Sequence, residues 1–358
     1  MALCGLLLTG CSPEAVTAID SIGTVTLSSG QAIATAEESY KATPRVLLAF
    51  VDNYPTLLMA RIRYKELASV EKQMLAQLDS VGAVDAASGD ALAALRSTYE
   101  ENAQKYAPEK FVSCRDRLEQ LEKNYRLCLL EEKLTAAEAL YAEEKYAGAI
   151  MLLEEILHSE DAEPLQQRCS DLLEESKKAL AQQKRTQANA LVKKDPLGAI
   201  RMLEDIDRTY RHEGDYQEIY DAAIAQLKKN RPGNGKVLEK TVAGGNNIFR
   251  VSAQGEEDFC VKLELTDDST RYILFYLRSG ESAQIKVPNG TYQIKYCTGR
   301  YWCNTADYFY PETRFMESNY TAKFSSTDTT YTKIEFTLYG AENSESSQKD
   351  TEITKQKF

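Results

Sequence analysis

The chain has 358 residues, 43% of them apolar, with 54 acidic against 43 basic side chains and a formal charge of −11. That length provides for about two or three domains. The charge excludes a broad nucleic-acid surface, which needs clustered Lys and Arg, and argues against a basic face on an anionic bilayer. Only two histidines occur, His158 and His212, and the single Trp is Trp302. Scarce histidine removes many metal and acid–base designs, so no metal site, no cofactor and no catalytic residue is expected.

The chain opens with an apolar run that ends in small residues, through Leu8-Thr9-Gly10-Cys11. Such a run suits a secretory signal and is too short to span a bilayer, which takes about 20 residues. No Lys or Arg precedes it, which points to a start upstream of Met1. The phrase Leu8 to Cys11 resembles the bacterial lipobox. The resemblance implies that Cys11 carries the lipid and becomes the mature N-terminus, and that Cys4 is discarded.

The next region repeats itself. Ile19-Asp20-Ser21-Ile22-Gly23 returns as Leu78-Asp79-Ser80-Val81-Gly82, 59 residues later, and Ser29-Gly30-Gln31-Ala32-Ile33 returns as Ser88-Gly89-Asp90-Ala91-Leu92 at the same offset. Tyr40 matches Tyr99 in that register; after a two-residue slip Leu57 matches Leu118 and Tyr64 matches Tyr125. Each copy reads as two antiparallel helices. Ser28 or Ser29 is the cap candidate of the first, Ala32, Ile33, Ala36 and Tyr40 fall at helical spacing, and Pro44 interrupts before a second stripe through Leu57, Leu58, Arg61 and Tyr64. Residues 18 to 70 resemble the helical-hairpin repeats of Gram-positive surface proteins, on the phrase Val25-Thr26-Leu27-Ser28-Ser29 before an Ala-rich helix with a late Tyr. Such repeats imply a spacer or an interaction arm.

A second repeat follows at an offset of 50: Gly148-Ala149-Ile150-Met151-Leu152-Leu153-Glu154-Glu155-Ile156 returns as Gly198-Ala199-Ile200-Arg201-Met202-Leu203-Glu204-Asp205-Ile206. With Ala139 to Tyr146 before it, the first copy resembles a tetratricopeptide hairpin, in which the small residue at Ala149 permits close helix packing. The period and the substitution of Asp195-Pro196 for Lys145-Tyr146 depart from that family. Tyrosines along these helices, among them Tyr40, Tyr54, Tyr64, Tyr99 and Tyr125, are expected to bury their rings and keep their hydroxyls wet.

Arg231-Pro232-Gly233-Asn234-Gly235 is the strongest breaker cluster in the chain and reads as a linker. Beyond it alternation replaces helical spacing, with about eight strands from Val237 to Leu338 and a hairpin signal at Pro288-Asn289-Gly290. Glu256-Glu257-Asp258 lacks the spacing of a calcium loop and reads as an exposed acidic turn. The phrases Phe275 to Glu281, Val287 to Tyr292, Cys297 to Trp302 and Thr313-Arg314-Phe315 resemble a small β-domain at the ends of bacterial membrane-linked and surface proteins. The chain departs from it at Tyr310, where a glycine is expected. Alternation puts Tyr292, Ile294 and Tyr296 on the core face. Trp302 is expected in the core as well, and with Arg300 and Tyr301 beside it forms the candidate ligand or partner contact. Cys297 and Cys303 can pair only if Thr298-Gly299-Arg300 turns the chain, since one straight strand would hold them roughly 20 Å apart.

The expected fold is multidomain, α then β: antiparallel helical hairpin repeats as a rod or solenoid, followed by an antiparallel β-sandwich. The expected segments are 1–11 signal and lipobox, 12–130 duplicated hairpins, 131–230 tetratricopeptide-like hairpins, 231–236 linker, 237–340 sandwich and 341–358 a polar, disordered tail. The resemblances imply a non-catalytic, lipid-anchored protein on the outer face of the cytoplasmic membrane, bound to the membrane through Cys11. It would serve as a spacer or contact an envelope protein or polymer; the alternative is a carbohydrate-binding lipoprotein using the aromatic β-domain.

Overall fold

The computed structural model describes residues 14–106, 111–340 and 350–358. Cys11 and the signal segment lie outside them. The chain is helical first and then forms a β region rich in antiparallel pairs. Among the described residues no helix is long and apolar enough to cross a membrane. Two compact units divide at Lys177 and Lys178.

The first unit holds α1 (Glu14–Asp20), α2 (Gly30–Ala42), α3 (Tyr54–Ser80), α4 (Gly89–Tyr106), α5 (Val112–Ala142), α6 (Tyr146–Leu157) and the start of α7 (Gln166–Leu191). One local design occurs in it twice. After α1 and after α3 the chain turns through Gly23 and Gly82, both at positive φ, 59° and 66°. A side chain there would crowd the following carbonyl, and glycine has none. A capping box follows each turn: the backbone N–H of Thr26 donates to Ser29 Oγ (2.9 Å) and that of Asp85 to Ser88 Oγ (3.0 Å). Then α2 and α4 each open on a glycine, because the Tyr64 and Tyr125 hydroxyls lie 2.6 and 2.5 Å from where a Cβ of Gly30 or Gly89 would sit. The matches found separately at Gly30/Gly89 and at Tyr64/Tyr125 are thus two sides of one contact.

Ala15, Ile19, Ile33, Ala36, Val51, Leu57 and Ala60 make one small core, and Leu67, Leu78, Leu92, Phe111, Leu118 and Leu121 make the next. A third joins Leu134, Leu153, Ile156 and Cys169. Ala149 is fully buried in α6, where α5 packs against it. Cys114 and Cys128 share α5, too far apart along one helix to pair.

The second unit holds the rest of α7, then α8 (Pro196–Glu204) and α9 (Tyr216–Lys229). Asp195 caps α8, accepting from the Gly198 N–H at 2.9 Å, and Pro196 takes the first helical position, where its missing N–H costs nothing. Ala199, Leu203 and Ile206 are buried like their counterparts Ala149, Leu153 and Ile156 of the first unit. The 50-residue repeat therefore straddles the division between units.

The strands are β1 (Val237–Lys240), β2 (Asn247–Gln254), β3 (Asp258–Leu265), β4 (Asp268–Leu277), β5 (Ser282–Val287), β6 (Gly290–Gly299), β7 (Tyr301–Trp302), β8 (Phe309–Tyr310), β9 (Arg314–Phe324), β10 (Lys333–Tyr339) and β11 (Thr351–Glu352). They form a six-stranded sheet in the order β1-β4-β3-β6-β9-β11, a three-stranded sheet β10-β2-β5 and the pair β7-β8. The expectation of a purely antiparallel region needs correction: β10 runs parallel to β2, from Lys333 opposite Ile248 to Tyr339 opposite Gln254. Side chains of both larger sheets enter one core around Phe249, Val261, Phe275, Tyr292, Ile294 and Tyr296, which puts both tyrosines on the side that alternation assigns them.

The six-stranded sheet is buried on its other face as well. There Cys260, Tyr276, Cys297, Trp302 and Phe309 pack with Phe358. This explains why β3 is buried at every position but Lys262, Asp258 and Glu264 included. Lys262 and Lys295 both hold Glu264 at 2.7 Å, and Lys295 Nζ donates to the Lys357 carbonyl at 2.6 Å. Within the segment read as a disordered tail, residues 350–358 are instead ordered: Thr351 and Glu352 pair with Glu317 and Met316, and the Phe358 ring packs on Tyr308 and Phe315. Overall polarity hid the two apolar anchors, Ile353 and Phe358. The breaker cluster is no free linker either. Asn234 Nδ2 donates to the Ser282 carbonyl (2.8 Å) and the Gly235 N–H to that of Tyr276 (2.8 Å), which ties the turn to both sheets.

Candidate functional site

A cleft of about 480 Å³ opens in the second unit where the C-terminal end of α9 meets β7. Its floor is Asp258, the first residue of β3 and only 4% exposed. Asp258 accepts from Arg231 through Nε (2.6 Å) and Nη2, from the Tyr276 hydroxyl and from the Ser279 backbone N–H (2.8 Å). Four donors on one carboxylate compensate its loss of water. Burial first, and then the hydrogen bond to Asp258, pushes the Tyr276 phenol far above its ordinary value, so it remains a donor. The hydrogen bonds that Arg231 itself donates to Asp258 raise its guanidinium further above its normal range.

The wall is Trp302, packed edge-on against Tyr276 (5.2 Å between centroids) and Phe309 (5.5 Å). Next to it the half-buried Tyr301 ring lies under Lys228, whose Nζ is 5.4 Å from the centroid. Arg300 is exposed at the rim, with Glu256 opposite in charge. Arg300 and Lys228 make no ion pair among the described residues, whereas Arg231 is committed to Asp258.

Tyr310, the departure from the expected pattern, accounts for how this wall is held. Its hydroxyl donates to Glu204 of α8 (2.5 Å) and shares a 2.8 Å hydrogen bond with Tyr220 of α9. Burial, then the bond to Glu204, raises its phenol well above normal. Arg201 of α8 adds a 2.9 Å bond to Asp307, and that guanidinium holds the Asp307 carboxyl below its usual range. A glycine at position 310 could make none of the tyrosine's contacts.

The three residues singled out from sequence, Arg300, Tyr301 and Trp302, all line the cleft, with Trp302 buried as expected. Lys228, Arg231 and Asp258 were not legible as site residues. Asp258 in particular is no exposed turn residue but a buried carboxylate; the apolar run Phe259-Cys260-Val261 directly after it was the available signal. Cys297 does not face Cys303: its register partner is Cys260, and all three thiols are free. Among the described residues no group of three or more His, Cys, Asp or Glu side chains could hold a metal. Compared with known families, curated proteins and solved structures, the chain matches no family model, no curated protein and no solved structure.

Proposed function

We propose that the protein is a non-catalytic, lipid-anchored interaction protein of the bacterial envelope. In this reading Cys11 carries the lipid on the outer face of the cytoplasmic membrane, the helices form hairpin repeats that act as a spacer, and the two packed sheets form a sandwich that meets an envelope protein or polymer. The cleft beside Trp302 carries the binding part of the reading. Arg300 and Lys228 bring two cations that make no ion pair among the described residues next to a half-buried aromatic ring, in a chain that is acidic overall. Such a site suits an acidic group on the partner. Both histidines are exposed in the helical part and neither lines the cleft, which leaves general acid–base chemistry there without its usual agent.

The carbohydrate reading is weaker on one observation. Trp302 is 6% exposed and enclosed by Tyr276, Tyr308 and Phe309, so of the two rings that line the cleft Tyr301 alone offers a stacking surface. Two experiments test the proposal. Metabolic labelling with a palmitate analogue should mark the wild type and not Cys11→Ser. The full-length Cys11→Ser chain should sediment with isolated wall material, and Lys228→Glu with Arg300→Glu should weaken this by about tenfold or more, since each reversal turns attraction into repulsion. Binding to a glycan array that Tyr301→Ala abolishes and the charge reversals leave intact would replace this reading with the carbohydrate one.

A further inference from the structure

The first turns of α3 are apolar on two opposite faces. Leu57 and Ala60 enter the core, while Pro55, Leu58, Met59 and Ile62, spaced at i, i+3, i+4 and i+7, share the outward face. Met59 is 64% exposed and Ile62 53%; in the turn just before, Val46 and Phe50 are exposed 78% and 65%. The fold does not require this. Aligned on Leu57/Leu118 and Tyr64/Tyr125, the second copy carries Glu119, Gln120 and Lys123 where the first has Leu58, Met59 and Ile62. Phe111, at the position of Phe50, is fully buried.

The charge is also local. Residues 41–65 hold five cations (Lys41, Arg45, Arg61, Arg63, Lys65) and one acid, Asp52, although the whole chain is strongly acidic. Arg61 pairs with Glu37 and Arg63 with Glu66, but Lys41, Arg45 and Lys65 are exposed and make no ion pair among the described residues. A charged surface senses charges within a Debye length, about 8–10 Å, so the chain's total of −11 does not decide what this face meets.

We propose that this outward face of the first helical copy seats on an anionic lipid bilayer, with Phe50, Met59 and Ile62 entering the interface and Lys41, Arg45 and Lys65 among the headgroups. Exposed apolar residues with a cationic rim match acyl chains beneath anionic headgroups. The position agrees: Asn53 Nδ2 donates to the Val16 carbonyl (2.9 Å) and Val51 packs with Ala15 and Ile19, which holds the segment against α1. α1 begins three residues after Cys11, a reach of at most about 11 Å. The proposal rests on the anchored reading for orientation and extends it by naming the surface that meets the membrane.

The test uses the full-length Cys11→Ser chain, which cannot be acylated there, in flotation with phosphatidylcholine vesicles with and without phosphatidylglycerol. Binding should require phosphatidylglycerol. Phe50→Ser/Met59→Gln/Ile62→Gln should weaken it about tenfold or more, and Lys41→Gln/Arg45→Gln/Lys65→Gln should remove the dependence on lipid charge. All six side chains are exposed, and an unchanged melting curve checks that each variant folds. Failure of the parent to float, or flotation of both variants like the parent, overturns the proposal. So does loss of self-association in the first variant without any vesicle binding, which would make the face a contact between copies. Palmitate labelling of Cys11 reports on the anchor separately: a labelled chain that fails to float keeps its anchor and loses this surface.

Discussion

The two copies in the first unit are built alike on the inside and differently on the outside. Both use a glycine at positive φ, a capping box and a glycine under a tyrosine hydroxyl. Even an ion pair recurs with its charges exchanged: Arg61 meets Glu37 in the first copy, and Glu122 meets Arg96 at the corresponding places in the second. What both copies keep is what the turn geometry and the core demand. What they do not keep, the face carrying Leu58, Met59 and Ile62 against Glu119, Gln120 and Lys123, is free of that demand and available to function.

The largest expected contrast is between two phenylalanines. Phe111→Ala empties a fully buried site and should cost ~3–5 kcal/mol in urea denaturation, whereas Phe50→Ala should stay within ~0.5 kcal/mol. Similar losses at both positions would mean that Phe50 is a core residue and the contrast is lost. The turn glycines should behave alike: Gly23→Ala and Gly82→Ala each force a side chain into left-handed backbone and should cost ~1–2 kcal/mol. A smaller effect is expected at the helix starts. Gly30 and Gly89 have ordinary helical φ, −53° and −56°, where alanine should help; instead the added Cβ must displace a tyrosine hydroxyl, for a net loss of ~1 kcal/mol. Tyr64→Phe and Tyr125→Phe should each relieve the loss in their own copy alone, and relief across copies would break the pairing of Gly30 with Tyr64. The smallest effect concerns the ion pairs: exchanging Glu37 and Arg61 should change stability by less than ~1 kcal/mol, because exposed pairs contribute little and the second copy already carries the reversed order.

Much of this was legible in the sequence because it repeats. The offset matches located the turns and their glycines before any contact was known, and period-2 alternation placed Tyr292 and Tyr296 inside. The outward apolar face was not legible, because helical spacing marks two opposite stripes equally and cannot say which is buried. Overall charge misled in the same way, averaging a basic segment into an acidic chain. In the second unit Trp302 with Arg300 and Tyr301 could be picked out by composition. Asp258 and Arg231 could not, since they are 27 residues apart and each sits in a segment whose local pattern reads as a turn. The parallel β10–β2 pair and the return of Phe358 to the sheet are long-range pairings that no local pattern records.

The contrast between copies is tested most directly by placing the photo-crosslinking residue benzoylphenylalanine at position 59 in one protein and at position 120 in another. Each is irradiated in vesicles containing phosphatidylglycerol and analysed by mass spectrometry. Lipid adducts from position 59 and none from position 120 are the predicted result. Equal lipid labelling at the two positions, or protein adducts alone from position 59, would contradict it.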